Sequence, residues 1–121
     1  MPLYLQLIFI TLLTLFFDAI YLYLNASSFK QMVYDIQQTS MVLRIWPAIV
    51  CYAFIVFGIY YFIIREKKSV LDAFFLGFVI YAVYDSTNYA TLANYSLSFA
   101  ILDALWGGIL FSIVTFVYQS V

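Results

Sequence analysis

Four long apolar runs, each nearly free of charge, leave this chain few ways to fold. A bilayer core takes about 20 helical residues to cross, and the runs at 3–24, 44–64, 70–92 and 97–118 each reach that length. Hydrophobic residues make up 67% of the sequence and charged residues only 9%, against about a quarter charged in a soluble domain. The sequence therefore predicts an all-α integral membrane bundle of four transmembrane helices. With 121 residues holding four spans, residues 1–121 are expected to form a single domain. The lipid bilayer is its expected partner, and nothing points to nucleic acid.

The connections are short except for 25–43. There Phe29, Met32, Val33 and Ile36 recur at helical spacing among Lys30, Gln31, Asp35, Gln37 and Gln38, a pattern that predicts a short interfacial helix between the first and second spans. Orientation rests on basic residues: Arg65, Lys67 and Lys68 lie in the second turn, Lys30 and Arg44 in the first connection, and none in the last. That excess puts both termini and the 65–69 turn in the cytoplasm. The first run is expected to stay as a helix, because its start lacks Lys and Arg and Leu24-Asn25-Ala26 is a poor cleavage match. The lone Cys51 reads as a small packing residue.

Asp18, Asp85 and Asp103 interrupt three different spans. Counting residues to the helix ends puts each roughly 9–10 Å below the same surface, whichever way the protein faces. Their neighbours suggest inward faces. Thr11, Thr14, Asp18, Tyr21 and Asn25 form one stripe, while Gly77, Tyr81, Tyr84, Asn88 and Thr91 form another with Asp85 at its edge. Asp103 stands beside Gly107 and near Ala100, Ala104 and Gly108, small residues that let helix backbones approach. Arg44, Trp46 and Pro47 start the second span at the same level, and proline is tolerated in an opening turn. An aspartate at mid-bilayer costs about 2.5–3.5 kcal/mol on insertion scales, so three acids imply neutralisation by protons, a cation, Arg44 or hydrogen bonds.

Asp18-Ala19-Ile20-Tyr21-Leu22, Trp46-Pro47-Ala48, the long run from Leu76 through Tyr84-Asp85-Ser86-Thr87-Asn88-Tyr89-Ala90-Thr91-Leu92, and Asp103-Ala104-Leu105-Trp106-Gly107 resemble the landmarks of an uncharacterised family of small four-helix membrane proteins, the domain of unknown function 2177. The resemblance runs from about Leu12 onward. It departs at Tyr21, where the family carries tryptophan, which loosens the expected aromatic wall. It implies fold and membrane residence, with no reaction, substrate or cofactor attached. Asp18-Ala19-Ile20-Tyr21 and Asp103-Ala104-Leu105-Trp106 also echo one another, by internal duplication or by chance among apolar residues.

The chain has no histidine, which leaves zinc and diiron chemistry poorly supplied, and it has no phosphate-cradling glycine motif. No cofactor is evident. The three carboxylates with Asn88 are suited to a hard divalent cation such as Mg²⁺ or Ca²⁺, with Asp18, Asp85 and Asp103 as the metal ligands. The same acids could instead act as acid and base on a polar head group. The 12 Tyr and 13 Phe fit interface belts and core packing better than a ligand cage. The expected site is an acidic pocket for a cation or polar lipid head group, with Asp18, Asp85, Asn88 and Asp103 as floor. Arg44, Trp46 and Trp106 form its rim, and Tyr84 is a further ligand-binding candidate. Binding is favoured over catalysis. The alternatives are cation or proton transport by a homo-oligomer, a membrane-embedded lipid-modifying enzyme, and a structural role with the aspartates as helix glue.

Overall fold

The computed structural model describes residues 1–121. It contains four helices, each long and apolar enough to cross a membrane. Helix α1 is Leu3–Gln37, α2 is Ile45–Ile59 continuing as a π-helical turn over Tyr60–Ile64, α3 is Val70–Thr91 and α4 is Leu97–Gln119.

The ends of these helices follow local chemistry. Ser69 caps α3 reciprocally: its hydroxyl accepts from the Asp72 N–H at 3.0 Å, while Asp72 accepts from the Ser69 N–H at 3.4 Å. Ser96 caps α4 by accepting from the Phe99 N–H at 3.1 Å. Pro47 falls in the first turn of α2, where its missing N–H leaves no gap in the ladder.

One expectation is corrected. Residues 25–37 are helical, as the spacing of Phe29, Met32, Val33 and Ile36 required, but they continue α1 and do not form a separate interfacial helix. At 35 residues, α1 is roughly 52 Å long, well beyond a hydrocarbon core of about 30 Å. Its last turns find new apolar neighbours, since Met32 packs with Tyr95 and Ala100, flanked by Phe29, Ile36 and Phe99. Asn94 adds a 3.0 Å bond to the Asp35 carbonyl. The helix ends at Gln38, which is left-handed at φ 63°.

Contacts are most extensive between α3 and α4, followed by α1 with α4 and α1 with α2. Helix α4 is thus central, consistent with its small-residue face. A Cβ on Gly77 would lie 2.1 Å from the Gly107 carbonyl oxygen, and one on Gly107 would lie 2.7 Å from that of Gly77, so the two backbones touch. Most of the buried apolar core lies toward the end of the bundle that carries the termini and the 65–69 turn. Ile10, Ile59, Ile63, Ala73, Leu110, Phe111 and Val114 meet there. The other half of the bundle is where the acids sit.

Candidate acidic site in the membrane

Asp18 and Asp85 are buried, and Asp103 is partly buried. Each takes hydrogen bonds from aromatic side chains on other elements. Asp18 on α1 accepts from the Tyr52 hydroxyl of α2, and its second oxygen accepts from the Trp106 indole N–H of α4 at 2.9 Å. Asp103 on α4 accepts from the Tyr21 hydroxyl of α1 at 3.0 Å. Asp85 on α3 accepts from the Tyr95 hydroxyl at 2.8 Å through Oδ1.

The echo between the outer helices acquires a geometric meaning here. Tyr21 and Trp106 stack face to face, with centroids 4.8 Å apart and an interplanar angle of 2°. Each aromatic donates to the aspartate three residues before the other, so the two antiparallel helices clasp reciprocally. Tyr21 supplies the hydroxyl that Asp103 uses.

The buried Asp85 of α3 and the partly buried Asp103 of α4 stand opposite one another in the helix register. In the α3–α4 interface Gly77 meets Phe111 and Gly107 meets Tyr81. Stepping one further turn along both helices brings Asp85 opposite Asp103. Asp85 is only 1% exposed, and its Oδ2 receives no donor from any side chain. No basic residue answers these acids, because the one ion pair in the chain joins Arg65 to Glu66 at 2.7 Å, at the other surface. A buried carboxylate in this setting needs a proton or a cation to complete its coordination.

The remaining candidates fall out differently. Trp106 lies within the site through its bond to Asp18. Asn88 is half-buried one turn from Asp85, next to Tyr95. Arg44 is exposed and forms no ion pair. Trp46, 70% exposed, and Tyr84, 63% exposed, make no side-chain hydrogen bond to the acids, so the rim drawn from Arg44 and Trp46 is not assembled around them. The carboxyls also do not converge as a metal centre, since no group of three His, Cys, Asp or Glu side chains could hold a metal ion. Asp18 is turned to Tyr52 and Trp106, Asp103 to Tyr21 and Asp85 to Tyr95.

Tyr52 and Tyr95 are the residues that sequence reasoning missed. Tyr52 could have been found by the depth count applied to the aspartates, because it stands about two turns into the second span. Tyr95 lies in the turn between α3 and α4, outside any span, and folds back onto Asp85 ten residues earlier. Burial and the bond to Asp85 push its phenol above the usual range, so it remains a donor.

No curated protein and no solved structure matches the chain. Four apolar helices with the landmark sequences around Asp18, Asp85 and Asp103 agree with a family whose sequence model matches residues 3–119, and the chain belongs to that family of predicted membrane proteins, DUF2177.

Proposed function

We propose that this multi-pass membrane protein binds a cation, or the cationic part of a polar lipid head group, between Asp85 and Asp103 within one leaflet, with Asp18 held beside them by Tyr52 and Trp106. The observation that carries the reading is Asp85 Oδ2, buried without a donor opposite Asp103 in a site with no basic side chain. A monovalent cation, an ammonium group or a proton would satisfy that oxygen with two carboxyls. Asp103 is the partly exposed member and offers the approach. Conduction through a single subunit is disfavoured, because Ile10, Ile59, Leu110, Phe111 and Val114 close the half beyond the acids.

The test uses the purified chain in lipid nanodiscs, titrated with a monovalent cation and, separately, loaded with phosphatidylethanolamine. Asp85→Asn preserves the bond from Tyr95 and gives Asp103 an amide donor. It is expected to abolish binding while thermal stability is kept or rises by about 1 kcal/mol.

A second reading, the aspartates as helix glue, is favoured by a specific observation: Tyr52, Tyr21 and Trp106 tie α1, α2 and α4 together through Asp18 and Asp103. If Asp→Asn variants at all three positions retain binding and lose only thermal stability, the glue reading replaces the binding one.

A further inference from the structure

At the opposite end of the molecule, a cleft of about 390 Å³ opens where the start of α1, the π-helical end of α2 and the end of α4 meet. Gln6, Tyr60, Arg65, Lys67, Tyr118 and Gln119 line it, and no carboxylate does. Gln6 and Gln119 donate to the Met1 and Lys68 carbonyls, each at 2.8 Å, and the other donors are uncommitted or only partly so. Lys67 has no ion-pair partner, and the hydroxyls of Tyr60 and Tyr118 and the ammonium of Lys67 enter none of the side-chain hydrogen bonds of the chain. Arg65 is splinted over the Tyr61 ring at 3.8 Å and bonded to Glu66 through one nitrogen, leaving other N–H groups of its fork free.

The backbone holds Lys67 in an unusual place. The Lys68 N–H bonds the Ile63 carbonyl at 2.9 Å and the Lys67 N–H bonds the Ile64 carbonyl at 3.1 Å, the pattern of a helix end in which the left-handed residue is usually glycine. Lys67 occupies it at φ 54°, a conformation that disfavours any side chain. Gln38 ends α1 in the same conformation, so the turn by itself marks no site; its effect here is to place the Lys67 side chain at the cleft. The π-helical turn just before it is a second irregularity at the same place.

We propose that this cleft binds an anionic phosphate group, carried by a lipid of the adjacent leaflet or free in the water. Lys67 and Arg65 supply charge, and the Tyr60 and Tyr118 hydroxyls supply neutral donors suited to phosphate oxygens. The proposal is independent of the acidic site, from which it is separated by the apolar core.

Native mass spectrometry of the full chain in detergent tests it, with phosphatidic acid and phosphatidylcholine as probes and inorganic phosphate as competitor. Phosphatidic acid is expected to be retained in preference to phosphatidylcholine, less so as salt is raised. Lys67→Gly keeps the turn and relieves its strain, yet should weaken retention about fivefold, as should Arg65→Gln. Lys30→Gln, on the far part of α1, should change nothing. Displacement by millimolar phosphate would identify free phosphate as the occupant, and failure to displace would identify the lipid. Equal retention of both lipids, or wild-type retention by both Lys67→Gly and Arg65→Gln, would overturn the assignment.

Discussion

Buried carboxylates in this protein are answered by phenols and an indole, not by bases, and this choice of donor sets their chemistry. A tyrosine hydroxyl stabilises a charged carboxylate without cancelling its charge, so the cluster keeps its appetite for a proton or cation. Tyr95 shows the consequence most accessibly, because it lies outside the spans. Its phenol is held above the ordinary value of 10.0 by burial first and by the bond to Asp85 next. A raised phenol contributes stability that is fully present below the unfolded value and declines as pH climbs toward the folded one. The advantage of wild type over Tyr95→Phe should therefore be constant from pH 7 to about 10 and shrink above it, as thermal unfolding of both proteins across that range would reveal. A constant difference through pH 11 would contradict the assignment. At this scale the acids were legible and their donors were not. Asp18, Asp85 and Asp103 stand out because charge is rare inside apolar spans. Tyr52 and Tyr95 do not, because they are two among 12 tyrosines whose commonest use in a membrane protein is at the interface.

Among the elements, the α3–α4 pair depends on absent side chains. Gly77 and Gly107 allow carbonyl-to-backbone contact, so Gly77→Ala would press a methyl group onto the Gly107 carbonyl, which no rotamer change can relieve. Loss of more than about 2 kcal/mol is expected, along with separation of Asp85 from Asp103, since both lie on the same row. Gly58 in α2 gives the opposite sign. A Cβ there meets nothing within 4 Å, and Gly58→Ala should stabilise by about 0.5–1 kcal/mol through helix propensity alone. Thermal unfolding in detergent of the two variants compares them directly. Small residues around Asp103 made this packing visible in the sequence. The length of α1 was less visible, because Asn25, Ser27 and Ser28 end the hydropathic run without ending the helix. Hydropathy reports where lipid stops, whereas the helix continues as long as Phe29, Met32 and Ile36 find partners, and those partners, Tyr95, Phe99 and Ala100, lie far along the chain.

The whole molecule is asymmetric along the membrane normal, with an apolar closed end and a polar end cross-linked by the acids, and α2 feels this asymmetry most. Its second half is anchored by Ile55, Val56, Ile59, Ile63 and Ile64 in the core. Its first half exposes Ile45, Trp46, Ile49 and Val50, and Tyr52 to Asp18 is the one side-chain hydrogen bond that α2 makes to another helix. Removing that hydroxyl should release the upper half while leaving the lower half in place, because the core residues do not depend on it. A hydrogen bond to a charged group contributes about 1.5–3 kcal/mol, and membrane interiors yield values toward or below the lower end. In Tyr52→Phe, amide exchange over residues 48–52 should accelerate about tenfold, the equivalent of about 1.4 kcal/mol, while residues 55–64 exchange as in wild type. Acceleration spread evenly along α2 would mean that the helix opens as one unit and that its core end provides no independent anchor. Acceleration of the first half alone would show that the core residues anchor the second half of α2 independently of the Tyr52–Asp18 bond.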